Sequence, residues 1–326
     1  NKETKETIPG KLEKKQIPAP QLQPGEVLVE VAGCGVCHTD LGYFYDGVPT
    51  VSKPPLTLGH EISGVVVAGE QAWIGKEVII PAVMPCRKCI LCKTGRGNRC
   101  LDQKMPGNSL ASYGGFSSHI PVPAVDLCEV KNRGNIPLSH LAVVADAATT
   151  PYQASKRADL QPGDNVVVIG ITGGVGQYMG QMAKALGAKT VVGIARNQEK
   201  LNRALKFGAD VVINSTDKDA GAISKEFRGL CKERGLPGTG WKIFEVSGSK
   251  PGQEIALGLL SFTGKLVVVG FTMAKTEYSI GRLMAFDAEI IGTWGCLPEY
   301  YPIVLDMVLN KKINIEEFVE VRPMST

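Results

Sequence analysis

Four cysteines fall within one short stretch of this chain, Cys86-x-x-Cys89-x-x-Cys92 and, after seven further residues, Cys100. Thiolates at this spacing surround one tetrahedral zinc ion without help from any other residue type. Such a site has no open position, so its role is structural: it holds a loop that has little core of its own. A second constellation, Cys37, His60 and Asp146, mixes ligand types and is spread far apart along the sequence. Thiolate, imidazole and carboxylate together leave room for water or substrate, which is the arrangement of a catalytic zinc. A third feature is the run Val166-Val-Val-Ile-Gly170-Ile-Thr-Gly173-Gly174-Val175-Gly176, which passes from an apolar strand pattern straight into a helical one. There the glycines permit a tight turn and a close approach of backbone to a pyrophosphate faced by the helix N-terminus. The spacing is one residue longer than G-x-G-x-x-G, which leaves the path of the first turn open. At the end of the following strand, about 20 residues on, an NAD site normally carries Asp or Glu for the ribose hydroxyls. Ala195 and Arg196 stand there instead, so Arg196 either pairs with a 2′-phosphate or is a solvated loop residue.

These residues need a scaffold, and the sequence outlines it. A chain of 326 residues is too long for one ordinary core and implies two domains. The first part is β-rich: Gly25–Gly33 alternates as a strand does, and Gly64–Gly69 and Lys76–Pro81 are further short strands with Pro and Gly between them. Near residue 148 the character changes. Strand-length apolar runs at Val166–Ile169, Thr190–Ile194, Lys242–Val246 and Lys265–Val269 follow, with helical patterns at Gln177–Leu186 and Glu199–Phe207. Continuous apolar strands alternating with helices imply a parallel sheet covered on both faces. The expected divisions are a catalytic domain over 1–147, a nucleotide-binding domain over 148–310, and the start of a return segment over 311–326. The active site is expected in the cleft between the two domains.

Composition excludes several classes of function. The formal charge of +4 is small and its lysines and arginines are dispersed, so no nucleic-acid partner is implied. No apolar run approaches the ~20 residues that span a bilayer, and the polar Asn1–Lys15 has no signal-peptide pattern. Nine cysteines, odd in number and clustered, argue against a disulfide framework and for a reducing, cytoplasmic compartment. Five belong to the two metal sets; Cys34, Cys128, Cys231 and Cys296 remain, and Cys34 reads as a packed thiol. The chain starts without Met and stops at Pro323-Met-Ser-Thr326 with no closing element, so residues are expected to be missing at both ends.

The segments Gly33-Cys34-Gly35-Val36-Cys37-His38-Thr39-Asp40 and Leu58-Gly59-His60-Glu61, the four-cysteine lobe, Gln161-Pro-Gly-Asp164, the glycine run and Phe244-Glu-Val-Ser-Gly248 closely resemble the medium-chain zinc alcohol dehydrogenases, in that family's order. The resemblance implies a GroES-like β-barrel catalytic domain plus a Rossmann doubly wound parallel sheet, two zincs per chain, and a homo-oligomer, dimer or tetramer. It implies NAD on family grounds, with NADP left open by Arg196. Carried onto matching positions, Cys37, His60 and Asp146 are the catalytic zinc ligands, Asp146 standing where many relatives have Cys. Thr39 takes the alcohol proton, Glu61 can move onto the metal, and Asp40 orients the His60 ring. The relay histidine of some relatives falls at Gly42, leaving Tyr43 or water for the proton's exit. His38, the backbone of Gly170, Gly173, Gly174, Val175 and Gly176, and Ala195, Arg196, Ser247, Gly270, Phe271 and Thr272 are the expected cofactor contacts.

Narrower runs, Gly42-Tyr-Phe-Tyr-Asp-Gly47, Lys104-Met-Pro-Gly-Asn108, Thr149-Thr-Pro-Tyr-Gln-Ala154, Val269-Gly-Phe-Thr-Met273, Leu283-Met-Ala-Phe286 and Trp294-Gly-Cys-Leu-Pro-Glu-Tyr-Tyr301, are similar to dehydrogenases that oxidise a ring hydroxyl beside a CoA thioester in anaerobic benzoyl-CoA degradation. They imply a cyclic, allylic hydroxyacyl-CoA substrate, with Tyr43, Tyr45, Trp294 and Tyr300 as apolar walls. The competing expectations are a zinc alcohol dehydrogenase for non-CoA allylic or aromatic alcohols, and a double-bond reductase of the same fold without the catalytic zinc. A nucleotide-binding sensor or structural protein with only the four-cysteine zinc is a further one.

Overall fold

The computed structural model describes Ile8 and residues 10–324; the outermost parts of the expected first and last segments lie outside the described residues. The chain forms two compact units. One runs up to Thr149 and includes Gly295–Asn310 and the stretch from Ile315 onward; the other is Thr150–Trp294 with Lys311–Asn314.

In the first unit the elements are β1 (Glu26–Gly35), α1 (His38–Tyr45), β2 (Glu61–Gly69), β3 (Glu77–Ile80), the one-turn α2 (Ile90–Lys93), β4 (His119–Pro123) and β5 (Cys128–Glu129). The strands make one antiparallel sheet in the order β4-β1-β2-β3-β5. Alternate residues drive it: Val27 and Val29, Ile62 and Val66, Val78 and Ile80, Ile120 and Val122 share one core with Met84 and Leu110. Each such side chain contributes about 1.5–3 kcal/mol when fully buried. Register shifts at Leu28/Val29 and Val31/Gly33 bulge β1 against β2, which bends the strands and curls the sheet. β2 starts at Glu61 rather than Gly64, because its first residues pair with the end of β1, Glu61 opposite Gly35.

The second unit opens with α3 (Thr149–Ala158) and continues β6 (Asn165–Ile169), α4 (Gly174–Ala185), β7 (Thr190–Ala195), α5 (Gln198–Ala204), β8 (Val211–Asn214), α6 (Ala220–Glu233), β9 (Lys242–Glu245), α7 (Lys250–Leu259), β10 (Lys265–Val268), α8 (Gly281–Phe286) and β11 (Glu289–Gly292). All six strands are parallel, in the order β11-β10-β9-β6-β7-β8. Val167, Ile169 and Ile243 pack on one face while Val166, Val168 and Phe244 pack on the other. Burial on both faces is why these strands read as unbroken apolar runs. The chain winds outward from β6 to β8, returns to β9, and winds outward again. The reversal lies between β6 and β9, the place where doubly wound sheets bind their ligands.

The sequence expectation ran the nucleotide-binding domain through residue 310, whereas Gly295–Asn310 groups with the first unit. One tie to the first unit is Tyr301, at the start of α9 (Tyr301–Leu309). Its fully buried hydroxyl accepts from the Ala82 N–H at 3.0 Å and donates to the Ala145 carbonyl at 2.7 Å. Among the described residues no helix is long and apolar enough to cross a membrane.

Candidate active site and metal centres

Two antiparallel strands deliver the first metal set. Cys37 follows the end of β1 by two residues, and His60 precedes Glu61, the residue paired with that end. Cys37 is the N-cap of α1; its N–H donates to Asp40 Oδ2 at 3.0 Å, and the Gly59 N–H donates to Asp40 Oδ1 at 3.1 Å. One buried carboxylate thus ties both ligand-bearing segments together. Gly59 has φ +95°, and a Cβ there would meet Cys34 Sγ and Phe116 at 2.8 Å, so only glycine lets the chain enter His60 by this path. The third arm is Asp146, which ends the 3-10 turn Leu138–Ala145. That turn is pinned by Ser63 Oγ on the Leu138 carbonyl at 2.7 Å and by Tyr301 on Ala145. The helix Thr149–Ala158 lies between Asp146 and the first parallel strand.

Cys37, His60, Glu61 and Asp146 each offer a ligand atom, all within 4.8 Å of one another. His60 is 1% exposed. Its Nδ1 is 3.3 Å from Asp40 Oδ1 and its Nε2 is 3.4 Å from Asp146 Oδ2, yet neither nitrogen makes an aligned hydrogen bond. Burial by itself lowers the His60 pKa, but Asp146, Asp40 and Cys37 outweigh it and carry the group well above its ordinary value. Burial, with Asp146 behind it, pushes Glu61 up to about 8. A buried imidazole without hydrogen-bond partners, ringed by acidic groups, is a donor set that suits a divalent cation. Thr39 Oγ1 lies 3.7 Å from Cys37 Sγ. Cys34 has its thiol on the Gly35 carbonyl, and burial pushes its pKa up.

The second set closes in the lobe between Met84 and Lys104, whose backbones bond to each other in both directions at 2.9 Å. Cys86, Cys89, Cys92 and Cys100 converge within 4.8 Å. Cys89 Sγ is 3.5 Å from that of Cys92 and 3.8 Å from that of Cys100. Backbone N–H groups of Leu101 and Cys92 pull the Cys89 thiol down to about 6, and those of Lys88 and Cys89 lower Cys86. Burial instead raises Cys92, to about 12, and Cys100. Amide donors aimed at sulfur favour thiolate, the form a metal binds.

In the second unit the glycine turn sits at the sheet's switch point. The Gly170 N–H donates to the Ile194 carbonyl at 2.8 Å. Gly170 has φ +86°, and a Cβ there would strike Ser247 at 2.9 Å. Gly173 caps α4, while Gly173 and Gly174 are exposed at its N-terminus; α4 begins there, three residues earlier than expected. Ser247 donates through both N–H and Oγ to Glu245 Oε1. Gly270 packs on Gly248, Phe271 is exposed, and Thr272 Oγ1 accepts from the Ala274 N–H at 3.2 Å. Ala195 is buried, Arg196 is exposed, and the Arg196 carbonyl accepts from Thr216 Oγ1 at 2.7 Å. Val175 is half-buried in α4, and His38 is exposed on the first turn of α1.

Residues 23–132 match the alcohol dehydrogenase GroES-like domain and residues 174–310 match the zinc-binding dehydrogenase domain. An alcohol dehydrogenase of Geobacillus stearothermophilus is 34% identical over 287 residues, 86% of this chain and 78% of that protein. The chain belongs to the medium-chain zinc-dependent alcohol dehydrogenase family. The crystal structure of galactitol-1-phosphate dehydrogenase of Escherichia coli is similar at TM-score 0.81 and 25% identity over 94% of this chain and 87% of that one. A zinc-binding dehydrogenase of Sinorhizobium meliloti, solved bound to NADP, is also similar at TM-score 0.81 and 25% identity, over 92% and 86% of the two chains. This chain is an oxidoreductase acting on CH–OH groups with zinc and NAD(P).

Two groups escaped the sequence reading. Glu245 is fully buried at the end of β9, with Oε2 lacking a partner, and burial raises its pKa against the pull of Ser247. A strand-end acid beside a glycine-rich turn was the available signal. Asn108 bonds Tyr43 across 65 residues, a pairing that no local pattern announces.

Proposed function

We propose that Cys37, His60 and Asp146 hold the zinc at which an alcohol carbon is oxidised to a carbonyl, with hydride passing to a nicotinamide cofactor bound by the Gly170–Gly176 turn. The convergence of these donors with Glu61 on the buried His60 ring, whose nitrogens make no aligned hydrogen bond, carries this reading. Bound there, zinc supplies Lewis acidity that lowers the pKa of the substrate hydroxyl. Thr39 Oγ1, beside Cys37, accepts the hydroxyl proton as its own proton passes on to Tyr43 or water. Asp40 holds the Cys37 and Gly59 amides and so fixes both ligands' approach. Glu61 stands by as an alternative carboxylate ligand. Cys86, Cys89, Cys92 and Cys100 hold a second, structural zinc. Elemental analysis should find two zincs per chain; one alone would remove the catalytic assignment.

The finer reading of the substrate is a cyclic, allylic hydroxyacyl-CoA oxidised to the oxo-acyl-CoA, as by 6-hydroxycyclohex-1-ene-1-carbonyl-CoA dehydrogenase. Its support is the set of sequence runs around Tyr43, Asn108 and Trp294. Alcohols and polyols free of CoA are the second reading, supported by the names of the similar enzymes. A panel of ring alcohols with and without the thioester, assayed with NAD and NADP, separates them. A CoA handle supplies remote binding energy, so the thioester should be far the better substrate; equal kcat/KM for the free alcohol would overturn the finer reading.

A further inference from the structure

The stretch Gly295–Tyr301 lies between the two metal sets and touches the support of each. On the lobe side, a Cβ at Gly295, which has φ +49°, would stand 2.9 Å from Val83 Cγ2 and 3.8 Å from the Asn98 carbonyl oxygen. One at Gly97 would stand 3.6 Å from Leu297 Cδ2. Val83 leads into Met84, whose backbone pairing with Lys104 closes the lobe, and Gly97 and Asn98 lie between Cys92 and Cys100. On its other side the stretch faces the third arm of the first set. The Asp146 charge acts on the Cys296 thiol, and Thr149, whose Oγ1 donates to the Asp146 carbonyl at 3.3 Å, bonds with both Cys296 and Tyr301. Thr149, Cys296 and Tyr301 are all buried.

The Tyr301 hydroxyl joins the two sides directly. Its oxygen accepts from the N–H of Ala82, two residues before Met84, and its hydrogen goes to the carbonyl of Ala145, the residue next to Asp146. Ala82 and Ala145 are buried, so water cannot replace either bond, and a lost partner leaves a backbone group unsatisfied. Asp146 itself stands just past the 3-10 turn at φ −148° and ψ −58°, outside helical geometry. The turn's own hydrogen bonds therefore do not set its direction, and the nearest fixed point is the bond on Ala145. A residue that only filled this core would need the ring of Tyr301 and not the hydroxyl.

We propose that Tyr301 is a positioning residue for the catalytic zinc: its hydroxyl holds Asp146 in place as the third ligand and ties that ligand to the four-cysteine lobe. The inference rests on the zinc-site reading above and deepens it, because it makes the two metal sets energetically dependent on each other. The connection is a contiguous chain of packed and hydrogen-bonded groups, from the lobe through Val83 and Ala82 to Tyr301, and from there through Ala145 to Asp146. Coupling of this kind is reciprocal, so a firmly held lobe favours the catalytic metal and the catalytic metal favours the lobe.

The test is release of zinc from the full holoenzyme into a coloured chelator, followed in time far below the melting temperature. The phase that Cys37→Ser removes belongs to the catalytic set. Tyr301→Phe keeps the ring but leaves the Ala82 N–H and the Ala145 carbonyl unpaired, and should speed that phase about ten-fold, the scale of a buried bond lost with its partners unsatisfied. Trp241→Phe is the control: it removes a buried bond of the same length, Nε1 to the Pro237 carbonyl at 2.7 Å, in the second unit, and should lower the melting temperature without changing the phase. If Tyr301→Phe behaves as Trp241→Phe does, the positioning role is overturned. Gly295→Ala presses on Val83 from the lobe side and should also speed the catalytic phase. Combined with Tyr301→Phe it should add little, since both act along one path; fully additive effects would overturn the tie to the lobe. The absence of any phase that Cys37→Ser removes would instead remove the zinc-site reading and this inference with it.

Discussion

A methyl group added at Gly176 has no room. A Cβ there would lie 2.0 Å from the Gly170 oxygen and 2.8 Å from both the Gly170 carbonyl carbon and Ile171 Cα. All three are backbone atoms, anchored by the Gly170 bond to Ile194, so no side-chain rotation relieves the clash. Overpacking of this kind typically costs 1–3 kcal/mol and sometimes more, and contact with backbone puts it at about 3. Alanine's helix propensity offsets roughly 1 kcal/mol, leaving about 2 kcal/mol. At about 2–4 °C per kcal/mol for a unit of this size, Gly176→Ala should lower the melting transition by ~4–8 °C. Gly174 is the matched control, since an added Cβ there meets nothing within 4 Å. Gly174→Ala should keep or slightly raise the melting temperature, yet its methyl stands where backbone must approach the pyrophosphate. Kd for NAD and NADP should then rise together by at least about ten-fold, or ~1.4 kcal/mol. Calorimetry and cofactor fluorescence titration on the two variants read these effects separately. Normal melting of Gly176→Ala would refute the steric reasoning, and normal binding by Gly174→Ala would refute the phosphate assignment.

Cys37→Ser and His60→Ala should abolish turnover and each lose one zinc while the protein stays folded, whereas Cys92→Ala should lower the melting temperature, because structural zinc binding is folding free energy; zinc content and melting curves distinguish the two patterns. Arg196→Ala should weaken NADP binding by about ten-fold or more if the exposed guanidinium pairs with the 2′-phosphate, a contact worth ~1.5–3 kcal/mol, and leave NAD nearly unchanged; equal effects on both would show that it points to solvent. For Glu245 the folded-state pKa is raised, chiefly by burial, so the fold favours the neutral acid, and the stability this contributes is lost as pH rises from the unfolded value of about 4.3 through the raised one. Glu245→Gln keeps an acceptor for Ser247 and should stabilise the protein at alkaline pH relative to pH ~5; a difference in melting temperature that does not change with pH would show that Glu245 ionises freely.

The two metal sets differ in how far the sequence reveals them, for a physical reason. Cys86, Cys89, Cys92 and Cys100 are local, and their lobe is closed by one backbone bridge between Met84 and Lys104, so spacing alone announces them. Cys37, His60 and Asp146 have no spacing of their own and were legible through family resemblance. What assembles them is the register of β1 on β2 and the docking of the 138–145 turn by Ser63 and Tyr301, long-range contacts that leave no periodic trace. The same distinction explains the parallel sheet, whose strands announce themselves because both faces are buried, and the stretch Gly295–Asn310, which is tied to the first unit by long-range contacts such as the bonds of the Tyr301 hydroxyl to Ala82 and Ala145.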